Sequence, residues 1–181
     1  MSALVKLDSQ TVSSDTAVLQ VGASNWSTAY NVYIIQMLNV RSAQENVYPN
    51  AKFLVGGSVT SDSTYDWMAM NLRTYGAFNT HTAQNQNHMR LSKDQIGTGS
   101  THETFFGTFF IYNANNSSEY THMSQESTGR DKNQNFAGLA GGFAYHTNAA
   151  VNGLRLYMSS GDIATATVNL YGLAKWLDII W

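Results

Sequence analysis

Five histidines, twelve acidic residues and no cysteine define the chemistry open to this chain of 181 residues. The histidines are His81, His88, His102, His122 and His146. None forms an H-x-H or H-E-x-x-H pair, and no two stand two apart, the spacing that sets two metal ligands on one strand face. They read as surface or hydrogen-bonded loop residues. The lack of cysteine excludes disulfides, thiolate metal sites and thiol nucleophiles. Asp62 and Asp66 bracket Ser63-Thr64-Tyr65. A calcium loop needs six to eight oxygens, and the glycine and closing glutamate of an EF-hand are missing here. Asp62 therefore reads as a turn residue.

Glu103, Glu119, Glu126 and Asp131 are the acids that could act as a glycosidase pair. Nothing in the sequence sets any two of them at a working separation. Gly97-Thr98-Gly99-Ser100 lacks the Gly-x-Ser-x-Gly pattern and the strand-to-helix context of a hydrolase nucleophile, and reads as a loop tip. Gly138-Leu139-Ala140-Gly141-Gly142 is followed by no lysine or helix that would cradle phosphate. Those glycines fit bulges or close backbone approach within a strand. The sequons Asn25-Trp26-Ser27 and Asn116-Ser117-Ser118 read as products of an Asn- and Ser-rich composition. The expectation is a protein that is not an enzyme and holds no cofactor and no metal.

The elements that would carry these residues are short and β-like. Tyr30 to Val40 and Thr104 to Tyr112 are rich in aromatic and β-branched residues, the second with one glycine kink or bulge. Ala17 to Val21, Lys52 to Val55, Leu154 to Met158 and Thr167 to Tyr171 add further runs, and the last two alternate cleanly. Turn-formers separate them at Ser13-Ser14-Asp15, Gly56-Gly57-Ser58, Asn115-Asn116-Ser117-Ser118 and Ser159-Ser160-Gly161-Asp162. Between Tyr65 and Tyr75 a helical stripe of Trp67, Met68 and Met70 competes with alternation of Tyr65, Trp67, Ala69, Asn71 and Arg73, and the alternation favours a strand. Asn79 to His88, rich in Asn, Gln and Thr, reads as one long loop. About nine to eleven strands at this spacing predict a jelly-roll-like antiparallel β-sandwich, a single all-β domain over residues 1–174.

Charged residues make up only 12% of the chain, about half the usual share, and net charge is −2 with no Lys/Arg cluster. Nucleic-acid binding is disfavoured, because phosphate contacts need concentrated positive charge. No leader pattern is visible at Met1 to Lys6, and no apolar run approaches a membrane span, so a soluble chain made in a cytoplasm is expected. A low-charge surface suits a protein largely covered by neighbours, or one that must be polar without strong repulsion. The segment 175–181, Lys175-Trp176-Leu177-Asp178-Ile179-Ile180-Trp181, is unusually apolar for a terminal stretch. Two readings stand side by side. The segment closes the chain's own core as a last strand or turn, or Trp176, Leu177, Ile179, Ile180 and Trp181 anchor it in a neighbouring subunit.

Residues Gly153 to Leu173, Gly-Leu-Arg-Leu-Tyr-Met-Ser-Ser-Gly-Asp-Ile-Ala-Thr-Ala-Thr-Val-Asn-Leu-Tyr-Gly-Leu, resemble the closing hairpin of small all-β structural proteins of bacteriophage virions, of the capsid-decoration or tail-appendage type, from phages of aquatic bacteria. Tyr30-Asn31-Val32-Tyr33, Asn116 to Thr121 and Gly141-Gly142-Phe143 add to the likeness, which covers most of residues 1–174. Asp162 stands where the pattern has Asn, and Ala166 where it has Gly. The resemblance implies a virion protein assembled in the host bacterial cytoplasm. Its partners would be the major capsid protein or tail proteins and further copies of itself, with a trimer favoured among closed rings. A capsid decoration or cement protein is the leading expectation. A tail-fibre or spike component is the alternative, with Trp26, Tyr30, Trp67, Tyr75 and Tyr145 as sugar-stacking platforms.

Overall fold

Alternation of apolar and polar side chains is resolved by the structure into thirteen strands among the described residues. The computed structural model describes residues 4–59, 63–98 and 103–174. The strands are β1 (Leu4–Val12), β2 (Val18–Gly22), β3 (Val32–Ser42), β4 (Pro49–Val55), β5 (Ser58–Val59), β6 (Tyr65–Arg73) and β7 (Asn79–Gln86). They continue as β8 (Met89–Arg90), β9 (Phe105–Tyr112), β10 (Thr121–Arg130), β11 (Phe136–Tyr145), β12 (Val151–Met158) and β13 (Ile163–Leu173). The one helical turn among the described residues is the 3-10 turn Ala23–Asn25.

The pairing is nested. The outermost strands pair first, β1 with β13, then β2 with β12, then β3 with β9. Successive pairs fall in opposite sheets, which is the rolled-up hairpin of a jelly roll. The large sheet runs β1-β13-β3-β9 and the small one β2-β12-β4-β5, with β8 also on β4, and every pairing is antiparallel. Beyond β9 the large sheet continues as β10-β11-β6-β7, an added wing of two hairpin-linked pairs.

β3 shows how the sequence sets the faces. Tyr33, Ile35 and Met37 are fully buried, with Ile34 and Gln36 on the opposite face. At Asn39 the backbone turns to φ 52°, the pairing with β9 slips, and Val40 becomes the next buried residue. A bulge thus inverts the parity of the strand. Side chains from both sheets form one core cluster, including Phe53, Phe109, Leu156, Val168 and Leu170.

The inner face of the wing has its own cover. The segment after β7 lays Met89, Leu91 and Ile96 against it, all buried. Gln125 donates from Nε2 to the Leu91 carbonyl at 2.8 Å, and Asn71 Nδ2 donates to Asp94 Oδ2 at 3.1 Å. Arg73 pairs with the same Asp94. The wing is therefore closed from inside.

The expected loop from Asn79 to His88 is instead mostly the strand β7. It is an edge strand, paired only with β6, and buries one side chain fully, His81. With so little to bury, polar residues serve, and the alternation that marks inner strands is absent. β6 is a strand, as its alternation predicts. Its odd-numbered Tyr65, Trp67 and Asn71 point inward, and its even-numbered Met68, Met70 and Leu72 stand exposed.

Candidate surface groove

The outer face of the wing carries an open, largely apolar surface. Every second residue of β11 on that face is small: Gly138, Ala140, Gly142 and Ala144. A Cβ at Gly138 or Gly142 would press on the Ser127 or Met123 carbonyl of β10, so close strand approach keeps this floor bare. On one side β6 raises a wall, with Met68 across from Gly142, Met70 from Ala140 and Leu72 from Gly138. On the other, β10 sets His122, Ser124, Glu126 and Thr128 beside the same floor. At the Gly142–Ala144 end of this face lies a hollow of about 890 Å³, lined by Met68, Gly142, Ala144, Tyr112, His122 and Gln84 among others.

The side chains of the wall are exposed. Met68 is 73% exposed, Met70 50% and Leu72 40%, and Phe136 at one end of the floor is 52% exposed. Large apolar side chains grouped on one face mark a contact surface, whereas scattered ones do not. Methionine adapts its shape to irregular partners. The opposite end of the groove is polar. Asp66 accepts the Asn85 N–H at 2.8 Å and lies 3.5 Å from His146 Nδ1.

The other residues with chemical potential are dispersed. Among the described residues no three His, Asp or Glu side chains gather at a metal-sized site. His81 is buried in ring contact with Trp67, centroids 5.6 Å apart, and His88 lies on the same indole at 5.9 Å. Burial, with Arg90 and Lys93 nearby, pushes the His81 imidazole down to about 4. His122 lines the groove, His146 faces Asp66, and His102 lies outside the described residues, as does Asp62.

Each candidate acid has a separate setting. Glu103 is buried before β9, and Glu126 stands on the groove wall. Glu119 Oε2 accepts the Asn113 side-chain amide at 2.7 Å. Asp131 folds the turn after β10: it accepts the N–H groups of Asn133 and Asn135, both at 2.8 Å, and the Tyr75 hydroxyl at 2.9 Å. Burial pushes its carboxyl up, and these donors more than offset that, so it sits below the usual range.

The five aromatic residues expected as sugar platforms have different settings, with Trp26 and Tyr30 sharing Tyr33. Trp67 and Tyr145 are core residues. Trp26 stacks on Tyr33 at 3.9 Å and donates to Asn115 Oδ1 at 2.9 Å. Tyr30 packs its ring over Gly172, and Tyr75 lies under the Arg73 guanidinium. The anchor residues Trp176, Leu177, Ile179, Ile180 and Trp181 lie outside the described residues.

The sequence signal for the groove is the small-residue alternation of β11 beside the Met-Met-Leu alternation of β6. Only the pairing of those two strands makes it a site, and that pairing joins residues about 70 positions apart. Comparison with known protein families, with characterised proteins and with solved structures finds no match.

Proposed function

We propose that this chain is a structural protein of a bacteriophage particle, without enzymatic activity, and that it serves as a capsid decoration or cement protein bridging capsid subunits. The observation that carries this reading is the bare apolar face of the wing, rigidly backed from inside by the Leu91 and Asp94 segment. A β-sandwich with an exposed apolar sheet face suits repeated contact with like surfaces. Many weak contacts on a lattice add through multivalency. The likeness of the closing hairpin to small virion proteins points the same way.

Attachment to host glycans is less well supported. Of the aromatic residues it would use, Trp67 and Tyr145 are in the core, Trp26 and Tyr30 pack against Tyr33, and Tyr75 is held by Asp131 and Arg73; the side chain of Asn115, which lines a polar hollow beside Tyr30, is already bonded to Trp26, Tyr30 and Tyr33.

Cryo-electron microscopy of purified particles tests the proposal. Density for this fold over the capsid lattice is the expected result. Density confined to the tail would transfer the protein to the attachment apparatus, and its absence from the particle would end the virion reading.

A further inference from the structure

Two neighbouring strands of the wing carry opposite kinds of side chain on one outer face. β6 presents Met68, Met70 and Leu72, and β11 presents Gly142, Ala140 and Gly138, each large residue the cross-strand neighbour of a small one. A ridge thus lies one strand spacing, about 4.8 Å, from a bare trough. A face built this way is complementary to itself. A two-fold axis in the contact plane, along the strands and midway between β6 and β11, sets the ridge of one copy over the trough of the other. It also keeps each residue at its own level along the strands, so Met68 meets Gly142, Met70 meets Ala140 and Leu72 meets Gly138. We propose that two copies of this chain pair face to face about this axis, through the outer surface of the wing.

Charge complementarity selects a second copy as the occupant. The same axis lays β7 of one copy over β10 of the other. Thr80 is the cross-strand neighbour of Met70, and Glu126 that of Ala140, so Thr80 comes opposite Glu126. Lys93 donates from Nζ to the Thr80 carbonyl at 3.4 Å, which holds an ammonium at that edge, and Glu126 is exposed. Pairing therefore brings the Glu126 carboxylate of each copy to Lys93 of the other. One level along, Thr82 meets Ser124, hydroxyl against hydroxyl. The hollow lined by Met68, Tyr112 and Gly142 is the space that Met68 of the second copy enters. Packed sheets cross at about 30°, and across the two central strands the levels stay matched. Four strands over the six steps from Asp66 to Leu72 measure roughly 19 by 20 Å, or about 400 Å² in plan for each copy. That is about half of a standard interface, so the pair is a weak one. It uses the same face as the particle reading without depending on it, since the purified chain alone tests it.

Sedimentation equilibrium of the purified full chain is the test, with no particle present. The wild-type chain is expected to dimerise with a Kd on the order of 100 μM. Met70→Asp sets a carboxylate in the contact at an exposed site and is expected to weaken the dimer by more than about tenfold. Glu126→Lys and Lys93→Glu are each expected to weaken it by about threefold or more, because like charges then face each other. An equal mixture of these two variants is expected to form a 1:1 dimer as tight as the wild type, since both cross-copy pairs are restored with their signs exchanged. Both substitutions lie at the protein surface, so this mixture decides the matter even if Met70→Asp does not fold, which circular dichroism checks. A wild-type chain still monomeric at about 1 mM, a folded Met70→Asp chain that dimerises like wild type, or a mixture no tighter than its separate components would each overturn the proposal.

Discussion

The backbone N–H of Phe53 donates to the Tyr65 hydroxyl at 2.8 Å, a buried bond that joins the small sheet to the large one. Phe53 lies on β4 and Tyr65 on β6, and their rings meet Tyr145 in one aromatic cluster with centroids 5.0–6.1 Å apart. A buried N–H stripped of its acceptor costs about 1–3 kcal/mol. Tyr65→Phe keeps the ring and removes only the oxygen. It should lower stability by that amount in urea unfolding, with an unchanged slope. An unchanged midpoint would show that the Phe53 amide finds another acceptor.

Acid should weaken the fold through His81 well before the carboxylates titrate. Burial lowers this imidazole from its ordinary 6.5 to about 4, and burial with Lys52 and Arg90 lowers His88 in the same direction. Between those values the unfolded chain binds a proton that the folded chain refuses. Stability is therefore full above about pH 6.5 and is lost as pH falls toward 4, by roughly 3 kcal/mol for His81. His81→Phe should flatten this part of the stability profile. A wild-type profile equally flat from pH 7 to 5 would contradict the assignment.

Gly172→Ala should be among the more damaging small changes. The new methyl group would occupy the ring of Tyr30, which packs edge-on to Tyr33 with centroids 6.2 Å apart. Overpacking of this kind costs about 1–3 kcal/mol. Combining Gly172→Ala with Tyr30→Ala should relieve the clash, so the pair should be less destabilising than the sum of the single changes. Strict additivity in thermal unfolding would rule out the contact.

Asp131→Ala should loosen the β10–β11 turn by about 1–3 kcal/mol, because it strands the N–H groups of Asn133 and Asn135. The carboxyl sits below its usual range, so its contribution is present above pH 3.8 and disappears as pH falls through the lowered value. Hydrogen exchange at Asn133 and Asn135 is the direct readout. Protection unchanged in the variant would mean the turn holds without its carboxylate.

The sandwich is legible in the sequence where strands bury one face. β3, β9, β12 and β13 show it in Tyr33-Ile35-Met37, Phe105-Phe109-Ile111, Leu154-Leu156-Met158 and Val168-Leu170. β7 is not legible, because an edge strand with one buried histidine needs no apolar alternation. β5 and β8 have two residues each, too few for any period. The groove is half legible. Met68 and Met70 alternate with Trp67 and Ala69, yet alternation alone does not say that the methionines, rather than the tryptophan, remain outside. The segment with Leu91 and Asp94, which follows β7, turns back to cover the inner face where the tryptophan lies.

The place of β13 between β1 and β3 also bears on the order of events at the ribosome. β1 and β3 are made early, but the strand that joins them is the last of the described strands to be synthesised. Until residue 173 has been translated, the large sheet lacks the strand second from its edge, and β1 and β3 each leave an edge unpaired beside the gap. Non-local closure of this kind is slow and leaves unpaired edges exposed to aggregation. Newly made chains should therefore depend on protection until late in their synthesis.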